Sequence, residues 1–350
     1  MRRSTLVLAL YSCCASISFG QDSLSTLKAK PYFVSYPDKF FIWPVLKQRQ
    51  LSYELSDPGN PGSVLRFKPN NSVGMGVGVY LFDLGIELVM AVPVDEKKND
   101  LYGTTKASDL QLNILSKRWG ADVFFQRYQG FYLSNPDIAL PPSGAYPQRP
   151  DVKTQNLGVS GVYIFNNRKF SLRSSYTFAD RQLRSAGSFI VSGAFNSFSL
   201  NADSAILNNH YAQKISLVQP FQSVDYQTLS LAPGYSYNLV IKKFFINGTL
   251  ALGPAVQWLQ YRDLNFAEHR TTTVNTFVDT RFSVGYSNDR FFTGVTLVTQ
   301  ARNVVFQDIH FGNNSSTYRI LFGWRFRESG ILRKSVWSLL PAFLRDPNGK

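Results

Sequence analysis

Cysteine is almost absent from this chain of 350 residues, which contains only Cys13 and Cys14, close to its N-terminus. No disulfide can form in the remainder, so its stability must come from packing and hydrogen bonding. After the N-terminal stretch there is also no apolar run of the roughly 18 to 20 residues that a membrane-spanning helix needs. These two absences exclude a disulfide framework and helical membrane spans.

The N-terminus has the three parts of a secretory signal peptide. Met1-Arg2-Arg3 is basic, Leu6 to Ile17 is mainly apolar, and Ser18-Phe19-Gly20 offers small residues for cleavage. We therefore expect residues 1–20 to be removed and the mature chain to begin at Gln21. An alternative is a lipoprotein signal with Cys13 acylated, although Tyr11 then occupies a position where a small residue is expected.

Acidic residues are too few to balance the basic ones, and the formal net charge is +14. Loss of Arg2 and Arg3 with the signal peptide lowers this charge to +12. The basic residues are scattered rather than clustered, and export argues against nucleic acid as a partner. Anionic lipid head groups and anionic solutes are the partners that this charge favours.

Aromatic residues are abundant, at 15% of the chain, and they recur in segments that alternate between apolar and polar or small residues. A strand that separates lipid from a barrel interior requires this alternation, because successive side chains face opposite sides. The pattern is clearest in Phe244 to Trp258, Thr272 to Tyr286 and Tyr318 to Phe326. It also describes four other segments: Leu229 to Ile241, Leu157 to Phe165, Phe170 to Phe178 and Val73 to Leu81.

Short and long connections alternate between these segments. The short ones are at Asp83, Lys117 to Gly120, Asn166 to Arg168, Lys242-Lys243 and Asn288 to Arg290, and the long ones are Pro93 to Lys106, Ser134 to Lys153, Arg262 to Arg270 and Phe306 to Asn314. The sequence thus predicts an all-β fold, a transmembrane antiparallel up-and-down β-barrel over residues 40–327. Its short turns should be periplasmic and its long loops extracellular. We expect about 12 strands, or 14 if Ser188 to Leu200 and Ile206 to Gln219 both cross.

Two segments are predicted to lie outside the wall. Residues 21–39 form a polar lead-in that either plugs the barrel or hangs in the periplasm. Residues 328–350 form a C-terminal tail with apolar residues at helical spacing, either an amphipathic helix at the membrane surface or a frayed end.

Four motifs stand out: Tyr36 to Lys39, Arg66 to Asn70, the glycines Gly74, Gly76 and Gly78 before Tyr80, and Asp122 with Gln126 to Tyr132. They resemble those of an uncharacterised family, the Bacteroidetes outer-membrane barrels known only as a domain of unknown function. The resemblance covers nearly all of the mature chain and implies outer-membrane location and a barrel. It implies no catalytic residues.

Candidate chemistry outside the barrel pattern is sparse. Asp308, His310 and Ser315 are the nearest approach to an acid, base and nucleophile, but their spacing does not establish a catalytic geometry. The acidic loop from Asp95 to Asp100 offers at most a loose calcium site. We therefore expect no enzyme, no metal and no cofactor. The glycines at 74, 76 and 78 are attributed to strand bending or to room for a plug.

Charged residues at inward positions are the remaining candidate site. By parity these are Glu87, Asp109, Arg173, Asp279, Arg281, Arg302, Arg319 and Arg325. Such charges set ion preference in an open pore, and the excess of arginine would favour anions. A channel or transporter for small anionic solutes is one hypothesis, and a closed structural or assembly barrel is the alternative. A barrel enzyme acting on envelope lipid is less favoured. The expected partners are outer-membrane lipid and the barrel-assembly machinery.

Overall fold

The computed structural model describes residues 31–36, 39–57, 59–71, 73–81, 84–135, 144–207, 220–265, 267–306 and 309–327. The predicted signal peptide and C-terminal tail lie outside these residues. The described elements are β1 Phe33–Ser35, β2 Lys39–Asp57, β3 Asn60–Lys68, β4 Gly74–Leu81, β5 Leu84–Ala91, α1 Glu96–Tyr102, β6 Lys106–Leu115, β7 Trp119–Leu133, β8 Gln148–Ile164, α2 Arg173–Tyr176, β9 Asp180–Gln182, β10 Ala186–Asn201, β11 Phe221–Ile241, β12 Phe244–Asp263, β13 Glu268–Ser287, β14 Phe291–Phe306 and β15 Ile309–Arg327. No described helix is long and apolar enough to cross a membrane.

The strands form a closed antiparallel barrel. The first wall strand, β2, pairs with the last, β15, and the ring continues through β14, β13, β12, β11, β10, β8, β7 and β3 back to β2. Three further strands extend the wall: β4 pairs with β2 and with β5, and β6 pairs with β7. The closed ring therefore contains ten strands, fewer than the predicted 12, and β4, β5 and β6 are additional to it. The predicted all-β barrel is therefore confirmed.

Side-chain alternation places each face of the wall as predicted. On β12, Phe244, Leu250 and Trp258 are exposed on the outer surface, whereas Asn247 and Gln257 are fully buried. The register carries this parity to the neighbouring strand, since Thr249 lies opposite Arg281 in the interior. The outer surface is consequently apolar, and the interior contains the polar residues.

The two ends of the barrel differ in their connections. We call the end with the links Lys242-Lys243 and Asn288 to Arg290 the turn end, and the opposite end the loop end. The loop end holds the connections 92–105, 134–147 and 202–220.

Two of the predicted long loops, Arg262 to Arg270 and Phe306 to Asn314, are wrong. Arg262 pairs with Glu268 and Phe306 pairs with Ile309, so both connections are tight. The ends of these strands are polar and therefore look like loops in the sequence. In the structure they continue the β12–β13 and β14–β15 ladders beyond the apolar band.

The segment between β8 and β10 departs most from the predicted barrel. The sequence predicts a wall strand over Phe170 to Phe178, but the chain leaves the wall after β8, and residues 170–182, which contain α2 and β9, are largely buried in the interior. We call residues 165–185 the plug. The described end of the lead-in joins it, because β1 pairs with β9. Its apolar side chains alternate because they pack inside the barrel, which sequence periodicity cannot distinguish from a wall strand. The crossing is made instead by β10, which contains Ser188 to Leu200.

Apolar clusters fill the interior at both ends. The loop-end cluster contains Tyr53, which stacks on Phe67 with ring centroids 4.7 Å apart. The turn-end cluster includes Phe178 of the plug, which stacks on Phe292 at 4.7 Å. A third cluster around Phe170 packs the plug against the wall.

Candidate functional site

The eight charged residues predicted to face the interior lie there, but they do not form a simple ring. All except Arg173 are on inward faces of wall strands, and Arg173 belongs to α2 in the plug, not to a wall strand. Most are grouped with partners of opposite charge. The local charge of the interior therefore depends on how these residues are paired and not only on how many there are.

Glu87 is the centre of the first group. Its carboxylate accepts hydrogen bonds from Lys47 Nζ at 2.9 Å, Arg319 Nη1 at 2.8 Å and Trp43 Nε1 at 3.2 Å. Arg319 also donates to the carbonyl oxygen of Tyr176 in the plug. One buried carboxylate thus joins β2, β5, β15 and, through Arg319, the plug.

Asp109 on β6 is the centre of the second group. It forms an ion pair with Arg49 of β2 and accepts a hydrogen bond from the Tyr128 hydroxyl at 2.9 Å. Lys47 and Arg49 were not among the predicted interior charges. Their odd positions on β2, in phase with buried Leu51, were the signal that could have identified them.

The third group joins β7, β10 and β13. Arg281 pairs with Asp279 at 3.1 Å and with Asp122 at 3.7 Å, and the Ser192 hydroxyl donates to Asp279 at 3.0 Å. Asp122 belongs to a motif that the sequence singled out, but its role as the partner of Arg281 required the structure. The single positive charge of Arg281 is thus shared between two carboxylates in the interior.

Arg302 and Arg325 are buried without such an acidic group. Arg302 donates to Gln300 at 3.0 Å and lies over the Phe277 ring at 5.0 Å. Arg325 donates to the carbonyl oxygen of Phe178 in the plug at 2.7 Å. It also lies over the rings of three turn-end aromatics: Tyr36, Phe41 and Phe292.

Amide and hydroxyl groups fix the plug to the wall. Asn238 of β11 accepts from Ser175 at 2.7 Å, and Asn247 of β12 accepts from the Tyr176 hydroxyl at 2.7 Å. The Ser283 hydroxyl of β13 donates to the carbonyl oxygen of Ser175 at 2.8 Å. Arg173 donates to the Tyr80 hydroxyl at 2.7 Å. Because these buried groups satisfy one another, the plug has a specified position.

Two interior cavities adjoin these groups. One, of about 90 Å³, is lined by residues that include Asp122, Arg281 and Arg319. The other, of about 560 Å³, lies between β5 and β6 and is lined by residues that include Arg49 and Asp109. Lys47 and Gln111 line both cavities, which connects the two groups of charges. We call the larger one the β5–β6 cavity.

The other candidate residues do not assemble a site. His310 is exposed, and Ser315 lies five residues further along the same strand, so the two side chains face opposite sides of the wall. Asp308 and His210 lie outside the described residues. No group of three metal-ligating side chains occurs in the described ranges. The glycine at 78 leaves room for the Trp43 ring, because a Cβ there would lie 2.0 Å from Trp43 Cε2.

Residues 22–326 match the model of a protein family described as Domain of unknown function (DUF4421). The chain belongs to this DUF4421 family. The match agrees with the uncharacterised family inferred from the motifs, and the Bacteroidetes origin stays a prediction. No match was found among the curated proteins.

Solved structures similar to the DUF4421 barrel are outer-membrane barrels. The outer membrane protease OmpT from Escherichia coli is 8% identical, with a TM-score of 0.40, over 87% of this chain and 99% of that one. The P. putida toluene transporter TodX is 8% identical, with a TM-score of 0.23, over 84% and 92% of the two chains. Ail, the attachment invasion locus protein of Yersinia pestis, is 9% identical, with a TM-score of 0.23, over 83% and 99%. At these identities the likeness concerns the fold alone.

The prediction from sequence that the chain is not an enzyme is wrong as a firm exclusion. An outer membrane protease is among the solved structures similar to this chain, and enzyme status is therefore left open. The scarcity of histidine does not decide this question.

Proposed function

We propose that the chain is a plugged barrel of the outer membrane that blocks axial diffusion, which is the closed-barrel hypothesis rather than the anion channel. The observation that carries this proposal is the filled interior. Apolar clusters occupy both ends, and Asn238, Asn247 and Ser283 fix the plug between them.

The interior charges also favour the closed barrel. An arginine attracts a permeating anion only if its charge faces the permeation path. Arg281 is instead neutralised by Asp279 and Asp122, and Arg319 shares Glu87 with Lys47. Of the five arginines that suggested anion preference, Arg173, Arg281 and Arg319 lie within 4 Å of a carboxylate. Arg302 and Arg325 are buried against aromatic rings.

Planar-bilayer conductance of the purified full-length mature protein tests the proposal. We expect no steady single-channel conductance. The double variant Asn238→Ala, Asn247→Ala removes two anchors of the plug and should produce intermittent openings. A matched variant at the outer surface, Leu250→Ala, should stay closed. A steady conductance of the unmodified protein, with an anion-selective reversal potential, would overturn the closed barrel in favour of the channel.

We further propose that the turn end is periplasmic and that the chain is exported with cleavage before Gln21. Outer-membrane lipid would then contact the apolar belt, and the barrel-assembly machinery would insert the chain. The intact mass of the mature protein tests the cleavage site. A mass that corresponds to an acylated N-terminus at Cys13 would show a lipoprotein instead.

A further inference from the structure

Within the described residues, the wall is interrupted between β5 and β6. β5 pairs only with β4, and β6 pairs only with β7, whereas the other neighbouring wall strands in the described ranges share ladders. The Cα atoms of the two strands approach within 8 Å, but no backbone ladder joins them. Unpaired backbone groups in hydrocarbon cost several kcal/mol each. The unpaired backbone N–H and C=O groups of β5 and β6 therefore need hydrogen-bond partners other than a neighbouring strand.

The interruption lies in the apolar outer surface. Leu88 and Met90 of β5 project outward and are 76% and 80% exposed, and Leu110 of β6 is 71% exposed. Ile86 and Leu112 extend the same surface. This apolar band indicates that the gap faces the membrane and not the aqueous loop end.

The β5–β6 cavity extends from this surface to the interior charges. Its lining includes the outward residues Leu88 and Leu110 and the inward residues Lys47, Glu87 and Asp109. Val94 and Thr105, from the connection that contains α1, also line it. Its volume of about 560 Å³ is within the range of small-molecule sites.

The charged lining of this cavity consists of Lys47, Arg49, Glu87 and Asp109, and Arg319 approaches Glu87 from the adjoining cavity. Lys47 and Arg319 share the single carboxylate of Glu87, and Arg49 pairs with Asp109. The Arg49 side chain is 10% exposed, and its Nε is buried without a hydrogen-bond partner among the described residues. A ligand with an anionic oxygen in this cavity would give the Arg49 guanidinium the acceptor that it lacks.

We propose that the β5–β6 cavity binds a membrane lipid with an anionic phosphate head group, which enters sideways from the bilayer. The phosphate lies near Arg49 and Lys47, and the acyl chains leave between Leu88 and Leu110. An added β-strand fits less well, because insertion between two strands needs roughly 9.6 Å between them, twice the usual spacing. The site is independent of whether the barrel conducts along its axis.

Equilibrium binding of fluorescent phosphatidylglycerol to the purified mature barrel in detergent tests this site. We expect saturable binding of one lipid per barrel. Unlabelled phosphatidylglycerol should displace the probe at least about tenfold better than phosphatidylcholine. Inorganic phosphate should not displace it, because it lacks the acyl chains that contact the outer surface. Displacement by phosphate alone would indicate a site for a soluble anion and overturn the lipid proposal.

Two variants and one control locate the binding. Arg49→Gln should weaken it about tenfold, the loss expected for one charge-assisted hydrogen bond. Ala107→Phe narrows the cavity without changing a charge and should weaken it similarly, so it decides the matter if Arg49→Gln does not fold. Arg66→Gln, in an exposed pair with Glu54 outside the cavity, should leave binding unchanged.

Folding of each variant is checked by the shift in gel mobility between unheated and heated protein. The proposal would be overturned by a lack of saturable binding, by equal displacement with phosphatidylcholine, or by unchanged binding in both cavity variants. Cross-linked dimers without lipid binding would show that a second chain covers the gap instead.

Discussion

Single buried charges in this barrel differ in how well they are compensated. Arg281 faces two carboxylates, those of Asp279 and Asp122. Arg302 is 1% exposed, and its Nε and Nη1 have no partner among the described residues. Burial of an ion is favourable only when partners replace the lost water. The same residue type therefore has opposite effects on stability at two positions of neighbouring strands.

Substitution of each arginine by methionine tests this difference. We expect Arg302→Met to leave the free energy of unfolding unchanged or to raise it by about 1–4 kcal/mol, since it removes a poorly compensated charge. Arg281→Met should lower it by about 3–5 kcal/mol, because two carboxylates lose their partner. Urea unfolding in detergent or lipid measures both. Greater loss from Arg302→Met than from Arg281→Met would contradict this account.

Among the elements, the plug was the one that sequence periodicity missed. Alternation predicted the wall strands well, because lipid and interior impose opposite requirements on successive residues. It failed for Phe170, Leu172 and Phe178, which are apolar because they pack inside. It also could not pair Arg281 with Asp122 or detect the gap between β5 and β6, because both depend on which strands become neighbours.

One contact at the turn end ties the plug region to the wall. Asp289 accepts hydrogen bonds from the Tyr36 hydroxyl and from Arg181 Nη1 of β9, each at 2.8 Å. The Tyr36 hydrogen bond, with the charge of Arg181, holds the pKa of the Asp289 carboxyl below its usual value, and burial raises the pKa of Tyr36 to about 12. This contact stabilises the fold only while Asp289 is ionised.

The pH dependence of unfolding tests this contact. A carboxyl whose pKa is lower in the folded state stabilises the fold above its unfolded value, about 3.9, and loses this effect as the pH falls through the folded value. We expect Asp289→Asn to lower the urea midpoint at pH 6 but to have little effect at pH 2. Asp203→Asn, at an exposed loop-end position, is the control. An Asp289→Asn effect that is equal at both values would show that ionisation is not involved.

At the scale of the whole molecule, the strand directions decide which connections share an end of the barrel, and the proposed periplasmic turn end would place the loop end outside the cell. The connection after β7 lies at the loop end, and a Cβ added at Gly144 within it would have no atom within 4 Å. Five prolines between Ser134 and Lys153 marked this region as a loop, although β8 begins at Gln148.

An epitope inserted after Gly144 should be labelled on intact cells. The matched insertion between Lys242 and Lys243, at the turn end, should be labelled only after permeabilisation. The reverse pattern would invert the topology.

The plug lies in the chain between β8 and β10, and the barrel closes only when the last strand, β15, meets the first, β2. Nothing has to be threaded through a finished cylinder if the inner segment collapses onto a sheet that is still open. We therefore expect residues 165–185 to pack against the open sheet before β15 pairs with β2.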